Sequence, residues 1–235
     1  MQYSTFAAID IGSYDVILEI FEISKKQGIR SVDKICHRME LGKDTYTLGK
    51  IRPEMEEELC RVLADFVRIM EGYRVDDYRA TASSAISEAS NSLYVLGKIH
   101  QLTGFSVTVL SNSEQRFLSY KALAAMEDNF NKIIEKGTAI LDLDGGSFQI
   151  SLFDKDALVT TQNIRMGSLR IRERLAGIQS ETEHYEEMVE ELIWNEVSSF
   201  KKMYLKDRKI ENIMLIGDVF TDSVCLLYTS PSPRD

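Results

Sequence analysis

The sequence predicts an α/β fold made of two similar halves that face a common cleft. Two segments, Phe6 to Glu19 and Thr138 to Phe153, share one pattern: an apolar strand ending in Asp, a turn containing Gly, and a returning apolar strand. Each is followed by a third strand and then by helices, which are recognised from apolar residues at helical spacing. Because one order of elements occurs twice, we expect a duplicated fold.

Composition narrows the class of protein. The chain has 235 residues, enough for one large or two small domains, and a formal net charge of −9, which argues against general nucleic-acid binding. Three cysteines without paired or metal-ligand spacing favour a reducing compartment. No apolar run is long enough to cross a bilayer, and no signal-peptide pattern begins the chain. We therefore expect a cytoplasmic protein with neither nucleic-acid nor membrane partners.

The first half is expected to form a domain at residues 1–130, with a polar hinge at 128–137. Pro53 opens its first helix, at a position where the missing N–H costs nothing. Its predicted elements are strands at 3–10, 14–23 and 29–40, a polar loop at 41–51, a helix at 53–70, a strand at 78–82, a Ser-rich turn, a helix to 102, a strand at 105–110 and a helix from 111 to 127.

The second half, at 137–224, is expected to repeat this order. Its predicted elements are strands at 138–143, 147–153 and 157–163, a short helix after Gly167, a long helix at 182–204 and a strand at 213–216. On the long helix, Trp194 is expected in core or edge packing, and inward positions are Met188, Leu192, Val197, Phe200 and Tyr204. In residues 225–235 the apolar residues follow neither the period of a strand nor that of a helix. The segment resembles translated sequencing-adaptor read-through. We interpret these residues as a non-native tail that leaves the second half incomplete.

The two Asp–Gly turns are candidate phosphate cradles. Glycine lets backbone N–H groups approach phosphate oxygens, and a serine in the turn adds a hydroxyl donor. The residues proposed to contact phosphate are Gly12 and Ser13 in the first turn and Gly145, Gly146 and Ser147 in the second. One such turn alone is weak evidence, since many structural hairpins share the pattern. The second copy strengthens the interpretation.

Five motifs carry a family resemblance. They are AAIDIGS at 7–13, ATASSAISEASN at 80–91, LSNSEQ at 110–115, ILDLDGGSFQ at 140–149 and RMGSLRIRERL at 165–175. In order and spacing they resemble the exopolyphosphatase and guanosine pentaphosphate phosphohydrolase family, within the actin-like ATPase superfamily. The resemblance implies a duplicated ribonuclease-H-like fold and the removal of a terminal phosphate from polyphosphate or from the stringent-response nucleotides guanosine penta- and tetraphosphate. It also allows a homodimer of the full-length protein.

The resemblance assigns roles to individual residues. Asp10 and Asp142 match the aspartates that hold Mg²⁺ in the cleft, and Glu114 or Gln115 is expected to position or activate the attacking water. Arg165 or Arg170 is expected to reach phosphate, although a surface position at a helix start is an equally simple interpretation. Carboxylates beside N–H-rich turns suit this chemistry, because the transferring group needs Mg²⁺ and backbone dipoles.

The chain also departs from the family pattern. Gln115 stands where the family has a catalytic Glu, Ser87 where it has Arg, Asp144 where it has Gly, and Gln149 where it has Glu. Glutamine can orient water, but it has no titrating group to accept a proton. Three readings therefore stay open: a Mg²⁺-dependent phosphohydrolase, a sensor that binds phosphorylated nucleotides and hydrolyses them slowly, and a module that keeps the fold without the site.

Overall fold

The computed structural model describes residues 3–127, 129–176, 184–206 and 208–217, and the backbone of 225–228. The chain divides into two compact units, Met1–Gln115 and Arg116–Asp235. Each unit contains one five-stranded sheet, so the expectation of two similar α/β halves is confirmed. Within the described ranges, no helix combines the length and the apolar composition needed to cross a membrane.

The sheet of the first unit has the order β3-β2-β1-β4-β5. Strand β1 pairs antiparallel with β2 and parallel with β4, and β2 pairs antiparallel with β3. The strands are β1 (Ser4–Ile11), β2 (Asp15–Ser24), β3 (Gly28–Arg38), β4 (Asp77–Ala82) and β5 (Val107–Val109). In β1 and in the first six residues of β2 every second side chain is buried, the alternation expected of strands with one face on a core.

The helices of the first unit connect these strands. They are α1 (Leu41–Leu48), α2 (Pro53–Tyr73), α3 (Ser84–Ser87), α4 (Ser92–Thr103) and the first turn of α5 (Asn112–Met126). Helix α2 packs one face on the sheet: Leu59, Leu63 and Phe66 are buried in one cluster with the inner residues of β1 and β2. Burial of such side chains stabilises the unit by about 1.5–3 kcal/mol each.

The polar loop expected at 41–51 is wrong, because residues 41–48 form helix α1. Asp44 is buried on this helix and accepts hydrogen bonds from the backbone N and the Nε of Arg52. A buried charge is tolerated when an opposite charge and hydrogen bonds compensate it. Arg52 supplies both from eight residues away, so a segment that looks solvated in the sequence enters the core.

The sheet of the second unit has the order β10-β9-β6-β7-β8. Strand β6 pairs antiparallel with β7 and parallel with β9, which repeats the arrangement around β1. The strands are β6 (Thr138–Leu143), β7 (Phe148–Asp154), β8 (Ala157–Ile164), β9 (Asn212–Gly217) and β10 (Cys225–Tyr228). The helices are α6 (Phe130–Ile134), α7 (Ser168–Leu175), α8 (Tyr185–Tyr204) and the part of α5 that follows Gln115.

The segment interpreted as a polar hinge, 128–137, instead contains helix α6, and the two units divide earlier, between Gln115 and Arg116. Phe130, Ile133 and Ile134 are buried and pack with Phe153 and other core residues of the second unit. These residues have the i, i+3, i+4 spacing that one helix face requires. The surrounding Asn, Lys and Glu residues concealed that face in the sequence.

Helix α8 and the end of the chain also differ from expectation. Of the five residues expected to face inward on α8, Phe200 is buried, three are partly buried (Met188, Leu192 and Val197) and Tyr204 is exposed, so the last expectation is wrong. Trp194 is 65% exposed, so the packed position expected for it is also wrong. Residues 225–228 form β10, which pairs antiparallel with β9 and which the sequence pattern did not predict. The non-native origin of 225–235 stays a prediction, and 229–235 lie outside the described residues.

Candidate functional site

In the first unit, the candidate site begins where β1 ends. Asp10 is the penultimate residue of β1, with an exposed side chain, and the Thr81 hydroxyl of β4 donates to Asp10 Oδ1 over 3.2 Å. The Gly12 N–H donates to the Asp15 carbonyl at 2.9 Å, and a Cβ on Gly12 would lie only 3.0 Å from that oxygen. Glycine is therefore favoured in this tight turn, because any larger side chain would crowd the Asp15 carbonyl.

Ser13 has a different environment from the one its predicted phosphate contact requires. Its side chain is fully buried, and its Oγ lies 2.6 Å from the Tyr46 OH and 3.4 Å from the Ser84 Oγ. Its carbonyl accepts a 2.8 Å hydrogen bond from the Gly42 N–H of α1. Ser13 thus ties the turn to α1 and α3, and in this arrangement its hydroxyl contacts protein.

Ser83 is a residue that sequence reasoning missed. It follows β4, its N–H donates to the Ile11 carbonyl at 3.2 Å, and its buried Oγ has no hydrogen-bond partner among the described residues. A buried hydroxyl left unsatisfied costs about 1–3 kcal/mol, so a water or ligand oxygen at this position is favoured. The only signal in the sequence is the serine-rich run. Ser87, four residues later, is exposed.

Glu114, one of the two candidate catalytic residues, caps the start of α5. Its carboxylate accepts hydrogen bonds from the Ser111 backbone N at 2.9 Å and from the Ser111 hydroxyl at 2.7 Å. The Glu114 N–H lies 3.3 Å from the Ser111 Oγ, which completes a capping box. The hydrogen bonds from the Ser111 backbone and hydroxyl lower the pKa of Glu114, so this carboxylate is a weak base as placed. Gln115 follows it, partly buried.

In the second unit, Asp142 occupies the position that corresponds to Asp10. It is the penultimate residue of β6 and pairs in register with Gln149 of β7. The Ser119 hydroxyl of α5 donates to Asp142 Oδ2 over 3.4 Å. Burial, followed by the charge of nearby Asp144, raises the pKa of Asp142 to about 6. Two carboxylates that destabilise each other's charge in a poorly solvated place are a site where a cation binds favourably.

The turn after β6 is fixed by α7. The Asp144 N–H donates to the Ser147 carbonyl at 3.1 Å, and the Asp144 carbonyl accepts the Ser168 N–H at 3.1 Å. A Cβ on Gly167 would lie 2.4 Å from the Gly145 carbonyl oxygen, closer than any real contact. Gly167 is therefore essential for seating the start of α7 on the turn, a close approach that the sequence did not reveal.

Of the predicted phosphate-binding arginines, the structure places one at this turn. Arg170 Nε donates to the Gly146 carbonyl at 3.0 Å, and the Arg170 and Leu169 N–H groups donate to the Gly145 carbonyl. Arg165 is exposed, and no hydrogen bond or ion pair fixes it among the described residues. Gly145, Gly146 and Ser147 thus lie in a turn that hydrogen bonds from α7 hold in place, which favours preorganised binding.

A polar network lies between α5 and the outer strands of this sheet. The Tyr120 OH donates to the Ser151 Oγ at 2.5 Å, Ser151 lies 3.2 Å from the Thr161 Oγ1, and Arg116 Nη1 donates to the same Thr161 oxygen at 3.2 Å. Burial raises the pKa of Tyr120. On α5 itself, Arg116, Ser119 and Tyr120 lie on one face, at spacings of three and four. Sequence reasoning stopped at Gln115 because this face is polar.

The remaining predicted positions lie beside the turn. The Asn163 amide of β8 donates to the Ser147 Oγ at 3.2 Å, and Gln149 is buried on β7. Each unit offers, beside its turn, the hard oxygen donors that Mg²⁺ prefers: Asp10 in the first unit, and Asp142 and Asp144 in the second. In the part of the chain that the structure describes, no three metal-ligating side chains cluster, but Mg²⁺ commonly takes one or two carboxylates and completes its shell with water and phosphate. The residues therefore fit this ion.

Comparison with known proteins assigns the chain to a family. The sequence profile of the Ppx/GppA phosphatase family matches residues 19–233, nearly the whole chain. The chain belongs to the Ppx/GppA phosphatase family. The match begins after the first Asp–Gly turn and includes the second, and it confirms the family resemblance drawn from the motifs.

Curated relatives carry related names. A bifunctional 3-dehydroquinate synthase/phosphatase of Fusobacterium nucleatum is 22% identical over 174 residues, which cover 72% of this chain and 26% of that protein. Exopolyphosphatase 1 of Mycobacterium leprae is 25% identical over 144 residues, which cover 61% of this chain and 41% of that protein. The chain thus spans about a quarter of the first relative's length and about two fifths of the second's.

Solved structures show the same fold. The Ppx/GppA family member from Aquifex aeolicus superposes with a TM-score of 0.69 at 22% identity, covering 94% of this chain and 68% of that one. An exopolyphosphatase from Cytophaga hutchinsonii gives a TM-score of 0.75 at 19% identity, covering 91% and 66%. These neighbours confirm the actin-like ATPase fold. How Asp10 and Asp142 lie relative to each other stays a prediction.

Proposed function

We propose that the protein is a Mg²⁺-dependent phosphohydrolase that removes the terminal phosphate from inorganic polyphosphate or from guanosine penta- or tetraphosphate. The observation that carries the proposal is the half-buried Asp142, whose pKa is raised to about 6 beside a rigid glycine turn. A carboxylate whose negative charge is unfavourable in the folded protein is expected at a position where a cation binds. Membership of the Ppx/GppA phosphatase family supports the same chemistry.

Each group of residues has a defined task in this proposal. Asp10 and Asp142 would hold the ion, which neutralises charge on the phosphate chain when bound. The turns around Gly12 and Gly145 bind and orient phosphate oxygens through backbone N–H groups. Gln115 orients the attacking water by hydrogen bonding, since in phosphoryl transfer positioning and electrostatics supply most of the rate and an amide can direct a water.

The assay is phosphate release from purified full-length protein, with polyphosphate and guanosine pentaphosphate offered separately and Mg²⁺ varied. Asp142→Asn should lower turnover at least about 100-fold, since losing even an outer partner of a metal site costs about 10–100-fold. Asp156→Asn is the matched control, because Asp156 is exposed in the β7–β8 turn of the same unit. Equal turnover in Asp142→Asn and in the wild type would refute the assignment.

A second function, a sensor of phosphorylated nucleotides, is favoured by one observation. The Glu114 carboxylate is occupied by the capping box, and Gln115 cannot accept a proton, so neither supplies a strong base. If the missing carboxylate limits the rate, Gln115→Glu should raise phosphate release by about 10²–10⁴-fold. If Glu114 is the base, Gln115→Glu is neutral and Glu114→Gln abolishes turnover. Persistent nucleotide binding with background release in all variants identifies the sensor.

A further inference from the structure

The rim of the first glycine turn carries an aromatic and cationic pair that the proposed function does not use. Tyr14 lies two residues after Gly12, in the turn between β1 and β2. The guanidinium carbon of Arg38 lies 4.3 Å from the centroid of the Tyr14 ring, and Arg38 Nη2 donates to the Tyr14 OH at 2.5 Å. The flat guanidinium therefore covers one face of the ring, an attractive cation–π arrangement.

Backbone contacts hold this pair at the turn. The Tyr14 carbonyl accepts the Met39 N–H at 3.1 Å and the Glu40 N–H at 2.9 Å. Arg38, the last residue of β3, pairs in register with Asp15, and its side chain is nevertheless 63% exposed. Since the Tyr14 ring covers one face of the guanidinium, this exposure leaves the outer face to solvent. A flat, positioned guanidinium face is a surface on which nucleobases stack.

Glu40 places a carboxylate beside the stacked pair. Its Oε1 lies 3.5 Å from Arg38 Nη2, and its backbone has a left-handed φ of 49°, a conformation that favours glycine. A residue other than glycine in this conformation costs free energy, and such residues concentrate at ligand-binding sites. An ionised carboxylate can only accept hydrogen bonds. Glu40 therefore suits a ligand that presents two neighbouring donors on the edge of a flat ring.

We propose that Tyr14, Arg38 and Glu40, called here the guanine element, bind a guanine base. The base stacks on the outer face of the Arg38 guanidinium, which the Tyr14 ring supports from behind. The N1–H and the 2-amino group of guanine donate to the Glu40 carboxylate, and hydrogen bonds to a charged acceptor are stronger than those between neutral groups. Adenine presents an acceptor at N1 and has no 2-amino group, so the carboxylate discriminates against it.

The guanine element is placed for a nucleotide whose phosphates lie at the first turn. Tyr14 follows Gly12 by two residues, and two residues span at most about 7 Å, a distance that one ribose also bridges between base and phosphate. Guanine binding here rests on the proposed function in one respect, since the phosphate chain has to lie at this turn. It narrows the substrate to guanosine penta- or tetraphosphate. Inorganic polyphosphate has no base to stack, and the negative charge of Glu40 repels it.

The first test measures affinity by titration calorimetry on the full 235-residue chain, with Mg²⁺ and with a chelator in its place. The ligands are guanosine tetraphosphate, its adenosine analogue and inorganic tripolyphosphate. We expect the guanosine compound to bind at least about tenfold more tightly than either of the others. Tyr14→Leu should weaken guanosine tetraphosphate about tenfold, the effect of losing a stacked aromatic ring, and leave tripolyphosphate within about twofold. Tyr94→Leu is the matched control, since Tyr94 of α4 is 65% exposed in the same unit and should leave all three affinities unchanged.

The second test separates base recognition from folding. Glu40→Gln should weaken guanosine tetraphosphate about tenfold or more, because one of the two acceptor oxygens becomes a donor. The same variant should bind tripolyphosphate at least as tightly as the wild type, because a negative charge is removed. A structural defect would weaken both ligands together. Glu40→Gly loses the same recognition while it relaxes the left-handed backbone, so its loss of guanosine affinity cannot come from unfolding.

Phosphate release from guanosine pentaphosphate and from polyphosphate, measured in parallel, separates the guanine element from the proposed hydrolysis. A preference for guanine that the Tyr14 and Glu40 variants abolish, without any phosphate release, supports the guanine element and contradicts the hydrolase. Release from polyphosphate with no preference for a base leaves the hydrolase standing and overturns the guanine element. It is also overturned by equal affinity for the guanosine and adenosine compounds, by failure of all three ligands to bind, or by an equal loss of every ligand in Glu40→Gln.

Discussion

Replacing Asp142 by asparagine should make the protein more stable at neutral pH. The folded state raises the pKa of Asp142 from 3.8 to about 6, through burial and the nearby Asp144 charge. Between these two values the folded state holds a proton that the unfolded state has released, so stability falls as pH rises. Above the folded pKa the whole penalty is present, and asparagine removes it because its side chain carries no charge.

The size of the effect follows from the two pKa values. A shift of about two units corresponds to about 3 kcal/mol, the expected gain for Asp142→Asn at pH 7.5. At pH 4.5, where the folded carboxyl is mostly protonated, the gain should fall to about 1 kcal/mol. A residue that costs stability where it stands is expected of a binding site, since selection for function tolerates a local penalty.

The measurement is urea unfolding in the presence of a chelator at several pH values, combined with hydrogen exchange of β6 and β7 amides so that the second unit is observed by itself. Asp156→Asn is the control, because the residue is exposed and its φ of 62° suits asparagine. Its effect should be small and independent of pH. The reasoning is refuted if Asp142→Asn destabilises the unit at pH 7.5, or if its effect does not change with pH.

Other substitutions test the packing around the site, each by its urea midpoint. Gly167→Ala should destabilise the second unit strongly, because the new Cβ would meet backbone 2.4 Å away, whereas Gly97→Ala, in open space on α4, should stabilise the first unit by about 0.5–1 kcal/mol. Asp44→Asn should cost about 1.5–3 kcal/mol, since it removes the charge from hydrogen bonds between the buried Asp44 and the half-exposed Arg52, and unchanged stability would contradict that pairing. Tyr120→Phe should cost about 1 kcal/mol by removing one hydrogen bond from the inner face of α5, and a gain in stability would argue against that contact.

The sequence predicted those parts of the fold in which apolar residues recur at the period of a strand or of a helix. The strands around Asp10 and Asp142 alternate or run apolar, and α2 repeats apolar residues at helical spacing, so each was placed within a few residues. Helix α6 was missed because its apolar face is short and surrounded by charged residues. Helix α1 was missed because its buried Asp44 depends on a partner outside the helix.

In the candidate site, too, some residues could be predicted from the sequence and others could not. Motif and resemblance pointed to Asp10, Asp142 and the glycine turns, because chemistry restricts which residue types can occupy such positions, and their roles stay predictions. They did not identify Ser83, Ser119 or the seating of α7 on the turn, since these depend on which elements the fold brings together. The spacing of Ser111 and Glu114 is the sequence signature of a capping box. It does not exclude a catalytic role, and the structure shows that the Glu114 carboxylate makes the capping hydrogen bonds.

The outer strand of the first sheet has a consequence for solubility. Strand β3 is eleven residues long and lies at the edge of the sheet, where a row of backbone N–H and C=O groups can template a strand from another molecule. Charged residues recur along it: Arg30, paired with Glu22, then Asp33, Lys34 and Arg38. A second β3 laid antiparallel or parallel on this edge would have to desolvate these charges. Fibrillar growth from the edge is thereby discouraged, so that chains released at high concentration after synthesis are kept from stacking into cross-β assemblies.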